Sequence, residues 1–125
     1  MQKTTLTQSE AKIQQEIVRW YKNEYCLAHH NPRSMIFAVP NESNQSRAMK
    51  LIQTGMYAGC ADLVVIHNQD DEYNFPTKTL FIEVKTPTGI QSPKQKLFEA
   101  HCKQINIPYH IVRSLDEFKA IVERL

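Results

Sequence analysis

Residues 79–85 form the segment that most restricts what this chain can fold into. Because side chains alternate between the two faces of a β-strand, one face of the segment is wholly apolar and carries Leu80, Ile82 and Val84. The other face carries Phe81, Glu83 and Lys85. A carboxylate and an ammonium group thus lie about 6–7 Å apart on a strand whose pattern predicts burial. Charged residues are rarely buried unless they are paired or bind something, so the segment predicts either a Glu–Lys pair at a sheet edge or a binding site.

Helical and strand patterns alternate along the rest of the chain. Capping motifs begin three predicted helices, at Thr7-x-x-Glu10, Ser92-Pro93-x-Gln95 and Ser114-x-x-Glu117. Short apolar runs predict further strands at residues 35–39, 63–66 and 109–112. Residues 46–53 favour a short helix that ends before Gly55. This order predicts a single α/β domain over residues 1–125, with a central mixed β-sheet flanked by helices.

Composition and cysteine spacing exclude several classes of protein. The chain has 125 residues, of which 42% are hydrophobic and 22% charged, and a net charge of +2. These values fit one ordinary globular domain and name no partner. No apolar run approaches the roughly 18 residues of a membrane span, and the first residues do not open a signal peptide. The widely spaced Cys26, Cys60 and Cys102 predict a reduced, cytoplasmic protein. A zinc site at Cys26, His29 and His30 is not expected, because no second ligand pair follows.

A second carboxylate, Asp62, directly precedes the apolar run at residues 63–66. If the strands next to Asp62 and Glu83 are neighbours, the two carboxylates meet, and a cation between them relieves their repulsion. Oxygen ligands with open positions suit Mg²⁺, for which Mn²⁺ substitutes. Lys85 beside such a metal can orient a water molecule and stabilise charge on a phosphate oxygen. The three residues together predict hydrolysis of phosphodiester bonds.

The same residues belong to a longer series of motifs. In order, these are Glu10-x-x-Ile13-Gln14, Pro40-Asn41, Gly55-x-x-x-Gly59-x-x-Asp62-Leu63, Phe81-Ile82-Glu83-Val84-Lys85, Gly89-x-Gln91-Ser92 and Gln95. Asp…Glu-x-Lys is the signature of restriction-endonuclease-like nucleases, and the full series resembles the virus-type replication-repair nuclease (VRR-NUC) domain. The last strand and helix also fit, so the resemblance covers nearly the whole chain. One departure is Ala61, where the family usually has proline, and alanine can adopt the same extended backbone.

The resemblance implies a restriction-endonuclease-like fold and a Mg²⁺-dependent DNA endonuclease of replication, repair or recombination. Stand-alone phage or bacterial members look like homodimers that resolve four-way (Holliday) junctions, which implies branched DNA as substrate and the cytoplasm of a bacterial or phage-infected cell. Asp62 and Glu83, with the Val84 carbonyl, would hold the metal. Lys85 would position the attacking water. Gln95 would align the site, and Glu10 would supply a further carboxylate.

Glu10 and Gln95 each have an alternative role, as the reciprocal member of a capping box with Thr7 or Ser92. Helical phase favours the site for Glu10, which shares one inward stripe with Ile13, Ile17 and Trp20. Glu16 lies about 240° around the helix and is expected in solvent. For Gln95 the two roles are compatible, because its helix begins soon after Lys85.

Basic side chains that can follow DNA phosphates are Arg47, Lys50, Lys94, Lys96 and Lys103. Scattered lysines more often form only a solvated surface. Arg47 and Lys50 are the better candidates because they precede the loop between Gly55 and Asp62, and Lys94 lies close to Gln95.

A two-fold homodimer would supply the two equivalent cuts that a four-way junction requires. The aromatic and apolar residues expected at its interface are Tyr21, Tyr25, Leu27, Met35 and Phe37. Simple core packing is the alternative role of these residues.

Two other functions also remain open. A sequence-specific restriction-type nuclease needs loops that read base edges, for which the chain leaves little room. A non-catalytic DNA-binding module is disfavoured, because every acid and lysine position is filled.

Overall fold

The computed structural model describes residues 9–26, 34–40, 49–50, 52–68 and 77–125. Residues 49–50 and 52–53 are helical. The principal elements are α1 (Glu10–Tyr21), which continues into a π-helical segment (Lys22–Cys26), β1 (Met35–Ala38), β2 (Leu63–His67), β3 (Lys78–Val84), α2 (Pro93–Gln104), β4 (Tyr109–Val112) and α3 (Leu115–Glu123). Element types and order follow the sequence prediction.

The strands form one mixed sheet in the order β1-β2-β3-β4. The β1–β2 and β2–β3 pairs are antiparallel, whereas β3 and β4 are parallel. A parallel pair requires a crossover connection, and α2 provides it. The fold is therefore α/β, with helices on both sides of a mixed sheet, as predicted.

The two faces of the sheet carry separate hydrophobic clusters. The larger cluster joins the sheet to α1 and α3, and consists of Ile13, Ile17, Tyr21, Ile36, Leu63, Val65, Leu80, Ile82, Val84, Val112, Phe118 and Val122. The smaller cluster joins the opposite face to α2, and consists of Cys60, Ala61, Phe98 and Cys102, with Phe81 and Tyr109 packed against it. The predicted division of β3 into two faces is confirmed, since its apolar set lies in the larger cluster and Phe81 contacts the smaller one.

The beginning of α1 differs from the sequence prediction. Ser9 is the N-cap, and its hydroxyl accepts a hydrogen bond from the Lys12 N–H at 3.2 Å. Glu10 is therefore the first helical residue, and the predicted capping box between Thr7 and Glu10 is wrong. A serine one residue before the helix already satisfies a free N–H group, and Glu10 then lies at the positive end of the helix dipole. Thr7 lies outside the described residues.

The other two predicted caps form. Ser92 Oγ accepts from the Gln95 N–H at 3.2 Å, and Gln95 Oε1 accepts from the Ser92 N–H at 2.8 Å, which completes a capping box. Ser114 caps α3, but Glu117 Oε1 accepts from the Arg113 N–H at 2.8 Å. Serine N-caps thus begin all three described α-helices of eight or more residues.

The predicted interface residues separate into two groups. Tyr21 is fully buried in the larger cluster, so its assignment to a dimer interface is wrong. Tyr25 is half-buried and packs against it, with ring centroids 5.0 Å apart. Met35 and Phe37 on β1 are 53% and 46% exposed. Leu27, Arg47, His29 and His30 lie outside the described residues.

Cys26, Cys60 and Cys102 are free thiols. Within the described ranges, no helix is both long and apolar enough to cross a membrane.

Candidate active site

Asp62 and Glu83 lie at the same end of the β2–β3 pair. Leu63 is paired with Ile82, and one further step in that antiparallel register sets Asp62 against Glu83. Asp62 Oδ2 accepts a hydrogen bond from the Val84 N–H at 2.7 Å, which ties its carboxylate to the Glu83-Val84-Lys85 motif. The neighbouring strands that the sequence argument required are therefore present.

Glu83 is a fully buried carboxylate whose two oxygens have different surroundings. Oε1 accepts a hydrogen bond from the Tyr109 hydroxyl. Oε2 has no hydrogen-bond partner among the described residues and lies 3.6 Å from Lys85 Nζ. Burial raises the pKa of Glu83, an effect that Tyr109 and Lys85 oppose and the nearby Asp62 carboxylate adds to. The alternative of a Glu–Lys pair is therefore partly realised, but it leaves one carboxylate oxygen unsatisfied.

Asp62 has a raised pKa for similar reasons. Burial is the largest cause, the Val84 N–H and Lys85 lower the pKa, and the Glu10 carboxylate raises it. A half-buried Asp62 and a fully buried Glu83, both with a raised pKa, form a site where a cation is favoured.

Lys85 extends from the end of β3 and is 8% exposed. The backbone N–H of Lys85 donates a hydrogen bond to the Val112 carbonyl at 2.9 Å. A Cβ built on Gly89 would lie 3.1 Å from Thr86 Oγ1 and 3.4 Å from Lys85 Cδ, so the loop at Gly89 runs close to the lysine side chain. Arg113 Nη1 donates to the Thr86 and Gly89 carbonyls, each at 2.7 Å, and thereby holds this loop closed. Sequence reasoning missed Arg113, because its contacts depend on the position of β4.

The loop before Asp62 packs on the first turn of α2. Gly59 adopts φ +79°, and a Cβ there would lie 2.5 Å from the Lys94 carbonyl carbon and 2.8 Å from the Gln95 nitrogen. A residue with a side chain therefore cannot replace glycine without displacing backbone. This contact sets Lys94 and Gln95 beside the loop that carries Asp62.

Glu10 and Gln95 differ in burial and in their contacts. Glu10 is exposed, which contradicts its predicted inward direction, because the helix begins at this residue and the buried stripe starts at Ile13. It is nevertheless close enough to Asp62 to affect the pKa of that residue. Gln95 is half-buried, and its side-chain oxygen is engaged in the cap, which leaves the amide nitrogen for another contact. Lys50 and Lys94 are exposed.

The donor chemistry fits a hard divalent cation. Mg²⁺ is usually held by one or two carboxylates and completes its shell with water. Asp62 and Glu83, the latter with its unsatisfied Oε2, match that requirement. In the part of the chain that the structure describes, no group of three or more His, Cys, Asp or Glu side chains can hold a metal ion. Glu10 therefore does not complete a three-carboxylate cage with Asp62 and Glu83.

A hydrogen-bond network behind Glu83 was not found from the sequence. Gln91 Nε2 donates to the Tyr109 hydroxyl at 3.2 Å and to Glu99 Oε1 at 3.1 Å. The sequence pattern indicates only that Tyr109 begins a strand. Its parallel pairing with Phe81, which lies on the same strand face as Glu83, brings its hydroxyl to the carboxylate.

Comparisons with known proteins agree with this architecture. The family model of the VRR-NUC domain matches residues 8–116. A solved structure described as a VRR_NUC domain protein is similar, with a TM-score of 0.71 and 18% sequence identity over 94% of this chain and 87% of that chain. At this identity the likeness concerns the fold alone. No curated protein is similar enough to this chain to count as a relative.

Proposed function

The chain belongs to the VRR-NUC family of restriction-endonuclease-like nuclease domains, and from this premise we propose that it is a Mg²⁺-dependent endonuclease that cuts branched DNA. The observation that carries the proposal is the buried Glu83 carboxylate, with one unsatisfied oxygen beside both Lys85 and Asp62. A purely structural ion pair would satisfy both carboxylate oxygens, since an unpartnered buried polar atom costs about 1–3 kcal/mol.

Each residue has a distinct task in this proposal. Asp62 and Glu83 hold the metal, helped by the Val84 carbonyl, and Mn²⁺ substitutes for Mg²⁺. When bound, the metal supplies charge stabilisation at the phosphate and lowers the pKa of water. Lys85 orients the attacking water and donates to the phosphate oxygen on which negative charge increases. Gln95 and Glu10 have supporting roles from the N-terminal ends of two helices. Gln95 would contact the site through its side-chain amide nitrogen, which the cap does not use, and Glu10 acts through its charge near Asp62.

DNA is the substrate expected of a nuclease, and the basic residues proposed to contact its phosphates are Arg47, Lys50 and Lys94. Lys94 has the strongest structural support, since it is exposed and its backbone contacts Gly59 in the loop before Asp62. Proteins hold nucleic-acid backbones with such side chains, and the resulting affinity falls steeply with salt. We place this activity in the cytoplasm of a bacterial or phage-infected cell, where free thiols such as those of the three cysteines persist.

The selectivity for four-way junctions and the homodimer belong to the same proposal. Two equivalent sites on one two-fold axis can cut opposing strands of a junction, which a single site cannot do. Met35 and Phe37 are exposed on β1, one of the two edge strands of the described sheet, and supply apolar surface for such an interface. Aromatic and methionine side chains are enriched where subunits meet.

Cleavage of labelled DNA tests the activity. Linear duplex, flap and four-way-junction substrates are incubated with Mg²⁺, with Mn²⁺ or with EDTA, and Lys85→Met protein serves as the control for contaminating nucleases. We expect metal-dependent cutting that is strongest on the junction. Equal cutting of all three substrates would contradict structure selectivity, and cutting at one base sequence would favour a restriction-type nuclease. Binding without cutting would favour a non-catalytic DNA-binding module.

Light scattering at micromolar concentration tests the dimer. We expect twice the 14.5 kDa mass of one chain for the parent protein. Phe37→Lys should shift the mass to that of a monomer, because a charge would then lie in the apolar interface. Met49→Lys is the matched control, since Met49 is also exposed but lies outside the sheet. A parent mass near 14.5 kDa would refute a constitutive dimer.

A further inference from the structure

We propose that Tyr109 is a positioning residue that determines which oxygen of Glu83 binds the metal ion. The inference rests on the proposed function, since it concerns the same site. The Tyr109 hydroxyl donates to Oε1, whereas Oε2, which lies 3.6 Å from Lys85 Nζ, has no hydrogen-bond partner among the described residues and keeps both lone pairs for a cation. Glu83 would thus be a ligand through one defined oxygen.

The direction of each hydrogen bond follows from the chemistry of the groups. An amide nitrogen can only donate, so the Tyr109 oxygen must accept from Gln91 Nε2 at 3.2 Å. The single hydroxyl proton of Tyr109 is then directed to Glu83. Gln91 uses its second amide proton on Glu99 Oε1 at 3.1 Å, and Glu99 Oε2 lies 3.7 Å from Lys103 Nζ. Every member therefore has one fixed role, and the series ends on the metal-binding carboxylate.

Three separate elements hold Tyr109 in place. Its backbone begins β4, paired with Phe81, and the preceding Pro108 carbonyl accepts the Phe81 N–H at 2.9 Å. Its ring packs against Phe98 of α2, with centroids 6.0 Å apart. Gln91 comes from the loop between β3 and α2. A functional carboxylate is held to useful precision only when the side chains around it are themselves fixed in this way.

The hydroxyl of Tyr57 provides a matched comparison. Its ring packs on the same Phe98, with centroids 4.9 Å apart, and its hydroxyl hydrogen-bonds with His101 Nδ1 at 2.9 Å. Tyr57 and Tyr109 therefore share an aromatic neighbour, and each makes a side-chain hydrogen bond. Only Tyr109 reaches a carboxylate of the site.

The test compares Tyr109→Phe with Tyr57→Phe. Calorimetric titration with Mn²⁺ alone measures the affinity of the DNA-free protein, and the Mg²⁺ dependence of cleavage measures the half-saturating concentration. For Tyr109→Phe we expect Mn²⁺ affinity about tenfold weaker and a matching rise in half-saturating Mg²⁺, as is typical when a ligating side chain loses its outer partner. Because a saturating metal concentration restores metal binding at Glu83, the maximal cleavage rate of Tyr109→Phe should approach that of the parent. Tyr57→Phe should match the parent in both measurements.

Gln91→Met gives a second variant if Tyr109→Phe does not fold. It removes the donor to Tyr109 while the ring and hydroxyl remain, so a smaller loss of Mn²⁺ affinity is expected. Unchanged Mn²⁺ affinity in the folded variants, or equal losses in Tyr109→Phe and Tyr57→Phe, would overturn the inference and leave the proposed nuclease intact. A parent protein that binds no Mn²⁺ would overturn both.

Discussion

The two faces of the sheet are buried by different means. On the side of α1 and α3, β3 contributes Leu80, Ile82 and Val84 to a large apolar cluster. On the side of α2, the same strand contributes Phe81 to a smaller cluster and then Glu83, which needs Tyr109 and Lys85 as partners. One strand thus contributes one set of residues to the apolar core and the alternate set to the proposed active site. Substitutions in adjacent positions should consequently separate the two properties.

The largest expected effect is on the α2 side, from isosteric changes of the three central residues. Asp62→Asn, Glu83→Gln and Lys85→Met should each reduce cleavage more than a hundredfold, because loss of the metal or of Lys85 costs several kcal/mol of barrier. Asp62→Asn and Glu83→Gln also remove a charge that the fold disfavours, since the pKa of both carboxyl groups is raised, so the melting temperature of the metal-free protein should stay equal or rise. Single-turnover cleavage and thermal melting measure the two effects. An Asp62→Asn protein that is folded and retains more than a few per cent of parental activity would remove Asp62 from the site.

The opposite outcome is expected one residue away from Glu83. Ile82→Ala should lower the free energy of unfolding by about 2–5 kcal/mol, because the side chain is fully buried in the larger cluster and its removal leaves a cavity. Cleavage by the fraction that remains folded should change little. Urea unfolding measures the stability, and activity is compared at a temperature where both proteins are folded. If Ile82→Ala lost activity as severely as Glu83→Gln without loss of stability, the two faces would not be functionally separate.

A moderate effect is expected at the edge of the site. Glu10→Gln should reduce cleavage about tenfold, since Glu10 influences Asp62 electrostatically without being a metal ligand. Glu16→Gln, six residues further along α1, should leave activity close to that of the parent. Initial cleavage rates at a fixed, subsaturating Mg²⁺ concentration compare the two. Equal rates for both variants would exclude Glu10 from the reaction.

The smallest expected effect is a pH dependence that belongs to the apolar side. His67 is buried there, its Nδ1 shares a hydrogen bond with the Tyr21 hydroxyl at 2.8 Å, and Tyr25 lies against its ring. Burial, with Lys78 adding to it, lowers the pKa of His67. The unfolded chain therefore binds a proton below about pH 6.5 that the folded chain does not, so stability is lost as the pH falls from that value through the folded pKa.

Thermal melting between pH 8 and 5 measures this dependence. His67→Gln should flatten the decline of the melting temperature on the acid side of the pH profile. Parallel curves for the parent and His67→Gln would show that His67 does not contribute.

Local patterns were sufficient to predict much of the fold. The alternation in residues 79–85 identified both faces of β3. Asp62 and Glu83 lie close together because β2, which follows Asp62, and β3, which contains Glu83, are consecutive strands that pair. Features that depend on distant pairing were not predictable. Tyr109 and Arg113 reach the site only through the parallel β3–β4 register, and Tyr21 is buried because His67 and Phe118 lie against it. The sequence likewise offered more than one hydroxyl residue as a possible N-cap of α1, and local pattern alone did not identify Ser9.

The parallel pairing of β4 with β3 has a consequence for the order of folding. The β2–β3 pair joins strands that follow each other in the chain, whereas β3 and β4 are separated by the longer crossover through α2, and contacts between segments distant in sequence tend to form slowly. Residues 109–113 provide the Tyr109 bond to Glu83, the Val112 acceptor for Lys85 and the Arg113 contacts with Thr86 and Gly89. A folding intermediate with only the antiparallel strands formed would carry Asp62, Glu83 and Lys85 but lack the segment that orders them, so under the proposed function we expect it to be inactive.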